Sequence, residues 1–354
     1  MSSPRFINRA LSFWPTRFIA RRQASELFDL VSGFVYSQVL SAAVRLQLFD
    51  VLKQPKTLTT ICAETGLSAT AAKRLLRATT ALKLTRDLPA HHYGLARLGN
   101  AMIGNEGLQA LVAHHDMLYC DLSKPASIFT DTGSTSLGEY WAYSRADQTT
   151  TDHTTASEVS DYSNLMAASQ PMISEQVLQS YSFSRHHSVM DVGGGTGRFL
   201  QAVRQRYPIL QLGLFDLPAV SEVRDCTHQN QLNIEQHTGD FLHDRLPVVA
   251  DLITLVRILH DHNDAAVMVL LKNIYHALPD RGSLLIAEPM SDGAGAERVG
   301  EAYFNVYFLA MGKGEPRSSV RLKSMLYETG FTEVRVINTR LPLLCTVMTA
   351  QKNT

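Results

Sequence analysis

The chain has 354 residues, of which 45% are hydrophobic, so it can bury a sizeable core, and its length predicts two domains. Lys plus Arg and Asp plus Glu number 33 each, so no net charge favours nucleic acid or an anionic surface as a partner. The four cysteines lie far apart, without the spacing of a zinc site or a disulfide framework, and we expect no metal. No uninterrupted apolar stretch approaches the roughly 20 residues of a membrane span, and the N-terminus lacks a secretory pattern. We expect a cytoplasmic protein that contacts a membrane at most peripherally.

The N-terminal half has helical patterns. Apolar residues recur at three- and four-residue spacing over 25–52, which predicts an amphipathic helix. Over 57–102 a short helix, a turn at Gly66, a second helix after Ser68 and a hairpin-like segment follow in the order of a winged helix. Helical patterns return over 103–180 around a polar, Ser/Thr-rich insert. We therefore divide the chain into a winged-helix domain with its N-terminal segment (1–105), a helical linker region (106–184) and a third part (185–354).

The third part alternates strands with helices. Apolar, strand-like runs occupy 188–193, 210–217, 232–241, 250–259 and 282–289, and helical segments separate most of them. This alternation predicts a parallel sheet with helices on both faces. Two last strands, within 332–340 and 343–351, are separated by so few residues that we expect an antiparallel pair at one edge. The predicted fold is α/β, a Rossmann-like doubly wound sheet that binds its ligand at the carboxyl ends of its strands.

A glycine cluster follows the first of these strands, in VMDVGGGTG (189–197). Glycines at 193, 194, 195 and 197 do not match the G-x-G-x-x-G pattern of dinucleotide-binding loops. Asp216, at the end of the second strand, is suited to accept hydrogen bonds from both ribose hydroxyls of an adenosyl group. Asp240 and Phe241, after the third strand, are suited to the adenine amino group and ring. Such features at three successive strand ends predict an adenosyl ligand.

These motifs, with VRILHDHNDAAVMVLL, GSLLIAEPM and the winged helix, resemble the class I O-methyltransferases that include plant caffeate and isoflavone enzymes and bacterial polyketide-tailoring enzymes. The resemblance implies S-adenosylmethionine as cofactor and a homodimer formed through the winged-helix domain. Its cofactor-binding residues correspond to Asp191, Gly193, Gly195, Gly197, Asp216, Leu217, Asp240, Phe241 and Arg257.

Methyl transfer to an alcohol depends on positioning and on a base that takes the hydroxyl proton. Histidine suits this role because it is largely neutral near pH 7. His260, His262 and His243 all follow strands of the predicted sheet, and the resemblance implies that His260 is the base. It also implies that two carboxylates, Glu288 and Glu315, flank the base. Arg257 either faces the cofactor or forms a salt bridge at the sheet edge.

Acceptor identity is suggested by two further segments, IARRQASELFDLVSGFVYSQVL and EPMSDGAGAERVGEAYFNVYFLAMGKGEPRS. They resemble the enzymes of photosynthetic bacteria that methylate the tertiary hydroxyl of 1-hydroxycarotenoids, the demethylspheroidene (hydroxyneurosporene) O-methyltransferases. Aromatic residues at helical spacing over 303–311 are typical of a core, but they would also suit an apolar trench for a carotenoid. We therefore predict that Phe304, Tyr307, Phe308 and Met311 bind the acceptor. The resemblance to the family also implies that Met166 binds the acceptor and that Ser169 lies near it. A phenolic or quinonoid acceptor is the alternative.

Two features leave alternatives open. The second winged-helix segment carries Lys73, Arg74 and Arg77, as a DNA-binding regulator would, but the domain has no sustained basic excess and we expect no nucleic acid partner. Residues 1–24 hold five arginines and no acid, interleaved with aromatic and aliphatic residues. Such a segment can lie on an anionic membrane or pack across a dimer partner.

Overall fold

The computed structural model describes residues 14–130, 135–140, 169–218, 220 and 233–353. Within these ranges the chain forms two compact units, divided in the sequence between Ala113 and His114. The predicted substrate residue Met166 lies outside the described residues.

The first unit is mostly helical. Its helices are α1 (Trp14–Arg45), α2 (Leu48–Val51), α3 (Leu58–Thr65), α4 (Ala69–Ala81) and α5 (Arg97–Asn100), and its strands are β1 (Lys56–Thr57), β2 (Thr85–Leu88) and β3 (His92–Leu95). Thr57 and Ser68 cap α3 and α4 with their hydroxyls, and Gly66 ends α3 with φ of 72°. The three strands form one antiparallel sheet in the order β1, β3, β2. This is the predicted winged helix, and Lys73, Arg74 and Arg77 are exposed on α4.

Helix α1 differs from the sequence prediction. Residues Arg17–Arg45 are long and apolar enough to cross a membrane by length and composition, with a mean hydropathy of 1.5 in the most apolar 18-residue window. Isolated polar residues interrupt the apolar ones, so no uninterrupted run is visible in the sequence. Core helices of soluble proteins can meet the same criterion, but only 11% of this window is buried within the chain. Phe18, Phe28 and Phe34 are among its exposed side chains.

The second unit begins within α6 (Glu106–Asp121) and contains the large sheet. Its further helices are α7 (Pro125–Thr130), α8 (Ser136–Tyr140), α9 (described over 169–180), α10 (Arg198–Arg206), α11 (Asp264–Ala277), α12 (Asn305–Met311) and α13 (Ser319–Thr329). A 3-10 turn spans Leu259–Asp261, and a π-helix, Val299–Phe304, runs directly into α12. The strands are β4 (Ser188–Val192), β5 (Gln211–Asp216), β6 (Ile234–Thr238), β7 (Leu252–Val256), β8 (Ser283–Glu288), β9 (Phe331–Ile337) and β10 (Thr346–Lys352).

The seven strands pair in the order β6, β5, β4, β7, β8, β10, β9. Strands β4 to β8 are parallel, while β10 runs antiparallel to both β8 and β9. Two apolar clusters cover the two faces of the sheet, as the alternation of strands and helices predicted. The chain moves outward from β4 to β6 and then returns to β7 on the other side of β4. This reversal opens a crevice at the carboxyl ends of the strands, where such folds bind ligands.

Candidate active site

The first strand of the large sheet, β4, ends in the glycine cluster. Gly193, Gly195 and Gly197 have φ of 72°, 57° and 76°, in the left-handed region that side chains other than glycine rarely adopt. A Cβ at Gly194 would meet Asp191 Oδ2 at 2.4 Å, so this face of the loop is packed. A Cβ at Gly195 would meet nothing within 4 Å. The loop is therefore a cradle that a ligand can approach at Gly195.

Two carboxylates hold this cradle in place. Asp191 is buried, and its Oδ1 accepts a hydrogen bond of 2.6 Å from the Thr254 hydroxyl on β7. Asp216, at the end of β5, accepts from the backbone N–H of Gly195 through Oδ2 at 2.7 Å and from that of Leu217 through Oδ1 at 2.8 Å. A carboxylate can accept about four hydrogen bonds, so these two leave Asp216 compatible with ribose hydroxyls. Asp191 lies against Gly194, and its predicted contact with the cofactor stays a prediction.

The end of β6 brings together the predicted adenine residues and one of the candidate bases. Asp240 Oδ1 accepts from the backbone N–H of Leu242 at 2.8 Å, and Oδ2 lies 2.8 Å from His243 Nδ1. The Phe241 ring packs edge-on against His262, with 5.4 Å between ring centroids. His243 therefore sits with Asp240 after β6, whereas His262 links the loop after β6 to the loop after β7.

His260 lies on the 3-10 turn after β7, held by Glu288 from the end of β8. Glu288 Oε1 accepts from the backbone N–H of Ile258 at 2.8 Å and of Leu259 at 2.7 Å. Its Oε2 forms a short hydrogen bond with His260 Nδ1. His260 Nε2 lies 3.2 Å from Asp261 Oδ1. Both ring nitrogens thus face a carboxylate.

This arrangement determines the charge of His260. Burial disfavours the imidazolium, but the negative charges of Asp261 and Glu288 outweigh burial and raise the pKa of His260 to about 10. Burial would raise the pKa of Asp261, but the neighbouring imidazolium lowers it. The two carboxylates therefore favour the imidazolium form of His260, and in that form Nε2 must lose a proton before it can accept one.

Arg257 occupies strained backbone between β7 and the turn. Its φ is 62°, which is uncommon for a residue with a side chain, and such strain is concentrated at functional sites. Its backbone N–H donates to the carbonyl of Ala287 at 2.9 Å, and its Nη1 donates to the Ser169 hydroxyl at 2.7 Å. Arg257 thus connects the end of β7 to α9, the helix predicted to lie near the acceptor.

Glu315 contacts the turn that carries His260 (258–262, here called the base turn) through its main chain. Its backbone N–H donates to the carbonyl of His260 at 3.0 Å, while its carboxylate lies 3.3 Å from Arg317 Nη2 and its side chain is 53% exposed. A cavity of about 10 Å³ beside it is lined by Leu259, His260, Glu288, Pro289, Glu315, Arg317 and Leu322. Glu288 and Glu315 therefore both border the base, but only the carboxylate of Glu288 is hydrogen-bonded to the imidazole.

The aromatic stripe packs against the base. The Phe308 ring stacks on His260 with 5.1 Å between centroids, and Phe304 stacks on Phe308 at 5.7 Å. Tyr307 and Met311 are buried in the same cluster, which includes side chains of α6, α7 and α8. The stripe is thus both core and a wall beside His260.

Among the residues that the structure describes, no group of three or more His, Cys, Asp or Glu side chains could hold a metal ion.

Comparison with known proteins identifies the family. Residues 137–332 match the O-methyltransferase domain, and residues 28–105 match the O-methyltransferase dimerisation domain. The chain belongs to the O-methyltransferase family. It is an S-adenosylmethionine-dependent O-methyltransferase whose first unit carries the dimerisation domain.

Among its relatives, the demethylspheroidene O-methyltransferase of Cereibacter sphaeroides is 37% identical over 340 residues, which cover 94% of this chain and 88% of that protein. The enzyme of the same name from Rhodobacter capsulatus is 38% identical over 335 residues, covering 94% and 84%. Human N-acetylserotonin methyltransferase, solved in complex with S-adenosylmethionine, has the same fold: the TM-score is 0.76 at 23% identity, with 94% of this chain and 98% of that chain covered.

Two residues of this O-methyltransferase were missed by sequence reasoning. Asp261 lies against Nε2 of His260, and its position directly after His260 was the available signal. Arg317 is buried beneath the base turn although arginine is rarely buried. Its sequence context, GEPRS, resembles an ordinary surface loop and carries no such signal.

Replacing His260 with Asn should lower turnover by about 100-fold or more while leaving cofactor affinity near the wild-type value, because a base acts in the chemical step. Asn retains an N–H donor for Glu288, which limits structural damage. The measurements are kcat with saturating S-adenosylmethionine and the Kd of S-adenosylhomocysteine by calorimetry. His243→Asn is the matched control and should retain wild-type turnover. Equal turnover in both variants would remove His260 from the mechanism.

Replacing Asp216 with Ala should weaken the binding of S-adenosylmethionine by at least about tenfold, since each hydrogen bond to a charged group contributes roughly 1.5–3 kcal/mol. The substitution also removes the hydrogen bond between Asp216 and the N–H of Gly195, which holds the glycine loop in place. Asp216→Asn, which keeps one acceptor oxygen, should bind more tightly than Asp216→Ala. Calorimetry that gives equal affinity for all three proteins would mean that the cofactor is held without this carboxylate.

Proposed function

We propose that this enzyme transfers a methyl group to the hydroxyl of an apolar acceptor, most specifically the 1-hydroxy group of a carotenoid. The observation that carries the proposal is the aromatic wall in contact with the base, Phe308 stacked on His260 and Phe304 stacked on Phe308. A wall of aromatic rings suits a long hydrocarbon better than a polar substrate. The two demethylspheroidene O-methyltransferases, at 37% and 38% identity, support the same acceptor class.

The hydroxyl groups on this wall have partners within the protein. The Tyr303 hydroxyl lies 2.6 Å from His115 Nε2, and the Tyr307 hydroxyl lies 2.7 Å from His114 Nε2. Burial, reinforced by His115, lowers the pKa of His114 to about 4, so His114 is neutral. Because both phenols already have partners on α6, the wall has little need of polar groups from an acceptor. This supports an apolar acceptor over a phenolic or quinonoid one.

The cofactor site proposed here fits the described residues. When bound, S-adenosylmethionine supplies an electrophilic methyl group on a sulfonium. The open cradle at Gly195 would receive the cofactor, Asp216 and Leu217 would hold the ribose, and Asp240 and Phe241 would meet the adenine. Arg257, bonded to Ser169, would border the cofactor from the other side.

His260 is the proposed general base, oriented by Glu288. The short bond between Glu288 and Nδ1 leaves Nε2 to receive the acceptor's proton. The Asp261 carboxylate lies beside Nε2, with its Oδ1 3.2 Å away. We infer that the acceptor hydroxyl takes the place of Asp261 at Nε2. Losing that carboxylate lowers the pKa of the imidazole, so the Nε2 proton passes to water and the neutral imidazole can then take the hydroxyl proton.

The acceptor class is tested by offering purified enzyme S-adenosylmethionine with detergent-dispersed 1-hydroxycarotenoids, phenols and quinols, and by measuring each product by mass spectrometry. We expect methylation of the 1-hydroxycarotenoid and a higher kcat/KM for it than for any phenol. The matching carotenoid that lacks the tertiary hydroxyl is the control for methylation at other positions and should give no product. Methylation of phenols alone would overturn the carotenoid proposal and leave the methyltransferase activity intact.

We further propose that the N-terminal segment docks the protein on an anionic membrane, where an apolar acceptor is available. Residues 1–13 lie outside the described part, but α1 carries Arg17, Arg21 and Arg22 next to the exposed apolar side chains of Phe18 and Ile19. A helix with this combination can lie in a membrane interface. Packing of the same side chains against the second subunit of a homodimer is the competing explanation.

Reversing three charges in α1 (R17E, R21E and R22E) should abolish flotation with phosphatidylglycerol vesicles, because each basic residue near an anionic surface contributes about 1 kcal/mol. The matched control reverses Lys73, Arg74 and Arg77 on α4 and should float like the wild type. Light scattering of both variants reports the oligomeric state. Unchanged flotation of the α1 variant, or loss of its dimer, would favour the dimer explanation.

A further inference from the structure

Arg317 is buried directly beneath the turn that carries His260. Its side chain is 3% exposed, although a guanidinium is rarely buried without several partners. Nη1 donates to the carbonyl of Leu259 at 2.7 Å, and Nη2 donates to the carbonyl of His262 at 2.7 Å. These carbonyls belong to the residues immediately before and two after His260. One rigid guanidinium thus spans both ends of the base turn.

The third edge of the guanidinium ties this turn to a helix. Arg317 Nε donates to Asp264 Oδ1 at 2.7 Å, and Asp264 is the first residue of α11. Arg321 also binds Asp264, through Oδ2, with Nε at 3.1 Å, but the Arg321 side chain is 49% exposed. The two arginines therefore share one carboxylate. Of the two, Arg317 is the one that donates hydrogen bonds to the carbonyls of the turn.

The backbone around Arg317 adds two further attachments. The N–H of Glu315 donates to the carbonyl of His260, and a Cβ at Gly314 would come within 2.0 Å of that same oxygen. The carbonyl of Arg317 accepts from the N–H of Ser291 at 3.1 Å, three residues beyond Glu288. Segment 314–317 thus holds the turn that bears His260 and is itself attached to the chain that follows Glu288.

We propose that Arg317 is a positioning residue for the methyl transfer, fixing the base turn so that the His260 imidazole stays aligned between Glu288 and the acceptor hydroxyl. The proposal rests on the proposed role of His260 as the base. Glu288 holds the start of the turn through the N–H groups of Ile258 and Leu259, and Arg317 holds its carbonyl side. Such alignment affects the chemical step far more than cofactor binding, since a misplacement of about 1 Å can cost about 100-fold in rate.

The test compares Arg317→Ala with Arg321→Ala. Both variants remove an arginine from Asp264, but only the first removes donors from the turn. We expect kcat to fall by about 10- to 100-fold in Arg317→Ala and by less than about twofold in Arg321→Ala, with the Kd of S-adenosylhomocysteine unchanged in both. Added guanidinium should restore part of the turnover of Arg317→Ala and none in Arg321→Ala. Equal losses in the two variants, or no loss in Arg317→Ala, would overturn the proposal.

A second measurement needs no acceptor. In protein labelled with ¹⁵N-histidine, the His260 ring signal is assigned by its absence in His260→Asn. It should move in Arg317→Ala and keep its wild-type position in Arg321→Ala, and an unmoved signal in Arg317→Ala would overturn the positioning role. If the wild type methylates no acceptor tested, the acceptor proposal fails while this measurement still decides the role of Arg317.

Arg317→Lys covers the case in which Arg317→Ala does not fold, as judged by its melting temperature. Lysine keeps the charge but is a point donor that cannot span two carbonyls and a carboxylate. We expect a folded protein with unchanged S-adenosylhomocysteine affinity and a kcat lowered by at least about fivefold. Wild-type kcat in Arg317→Lys would show that charge alone suffices and would overturn the positioning role.

Discussion

The active site depends on a single buried carboxylate, that of Glu288. It accepts two backbone N–H groups from the residues before His260 and also binds the imidazole itself. Burying a carboxylate is costly unless it is paired and hydrogen-bonded, and here the turn after β7 supplies those partners. The turn is held in place because two of its N–H groups satisfy the buried Glu288 carboxylate, which also binds the imidazole. Neither part could keep this geometry alone.

Much of the architecture follows from local patterns in the sequence. The five parallel strands lie within the predicted apolar runs, and the glycine cluster comes directly after the first of them. The observed strands are shorter because other backbone states end them. Within the apolar run over 250–259 the strand ends at Val256, because Arg257 adopts a left-handed conformation and a 3-10 turn follows. Hydrophobicity locates a buried strand, but it carries no information on where hydrogen bonding ends it.

The site was predictable where backbone geometry demands one residue type, and less so where distant segments meet. Gly193, Gly195 and Gly197 have positive φ, which favours glycine, so the glycines in the sequence alone indicate this loop. The raised pKa of His260 is different, because it results from Asp261 and Glu288 acting on one buried ring. Arg317 lies more than fifty residues from the turn it supports, and nothing in its own surroundings in the sequence indicates burial.

The π-helix before α12 affects how the aromatic wall can change during evolution. A π-helix closes hydrogen bonds between residues five apart, so Val299–Phe304 accommodates one residue more than an α-helix would over the same stretch. Deleting one residue there would convert the segment to α-helix and change the side chains that it presents. Phe308, downstream in α12, would keep its stacking on His260. A single-residue deletion here could therefore reshape the proposed acceptor wall while His260 stays in place.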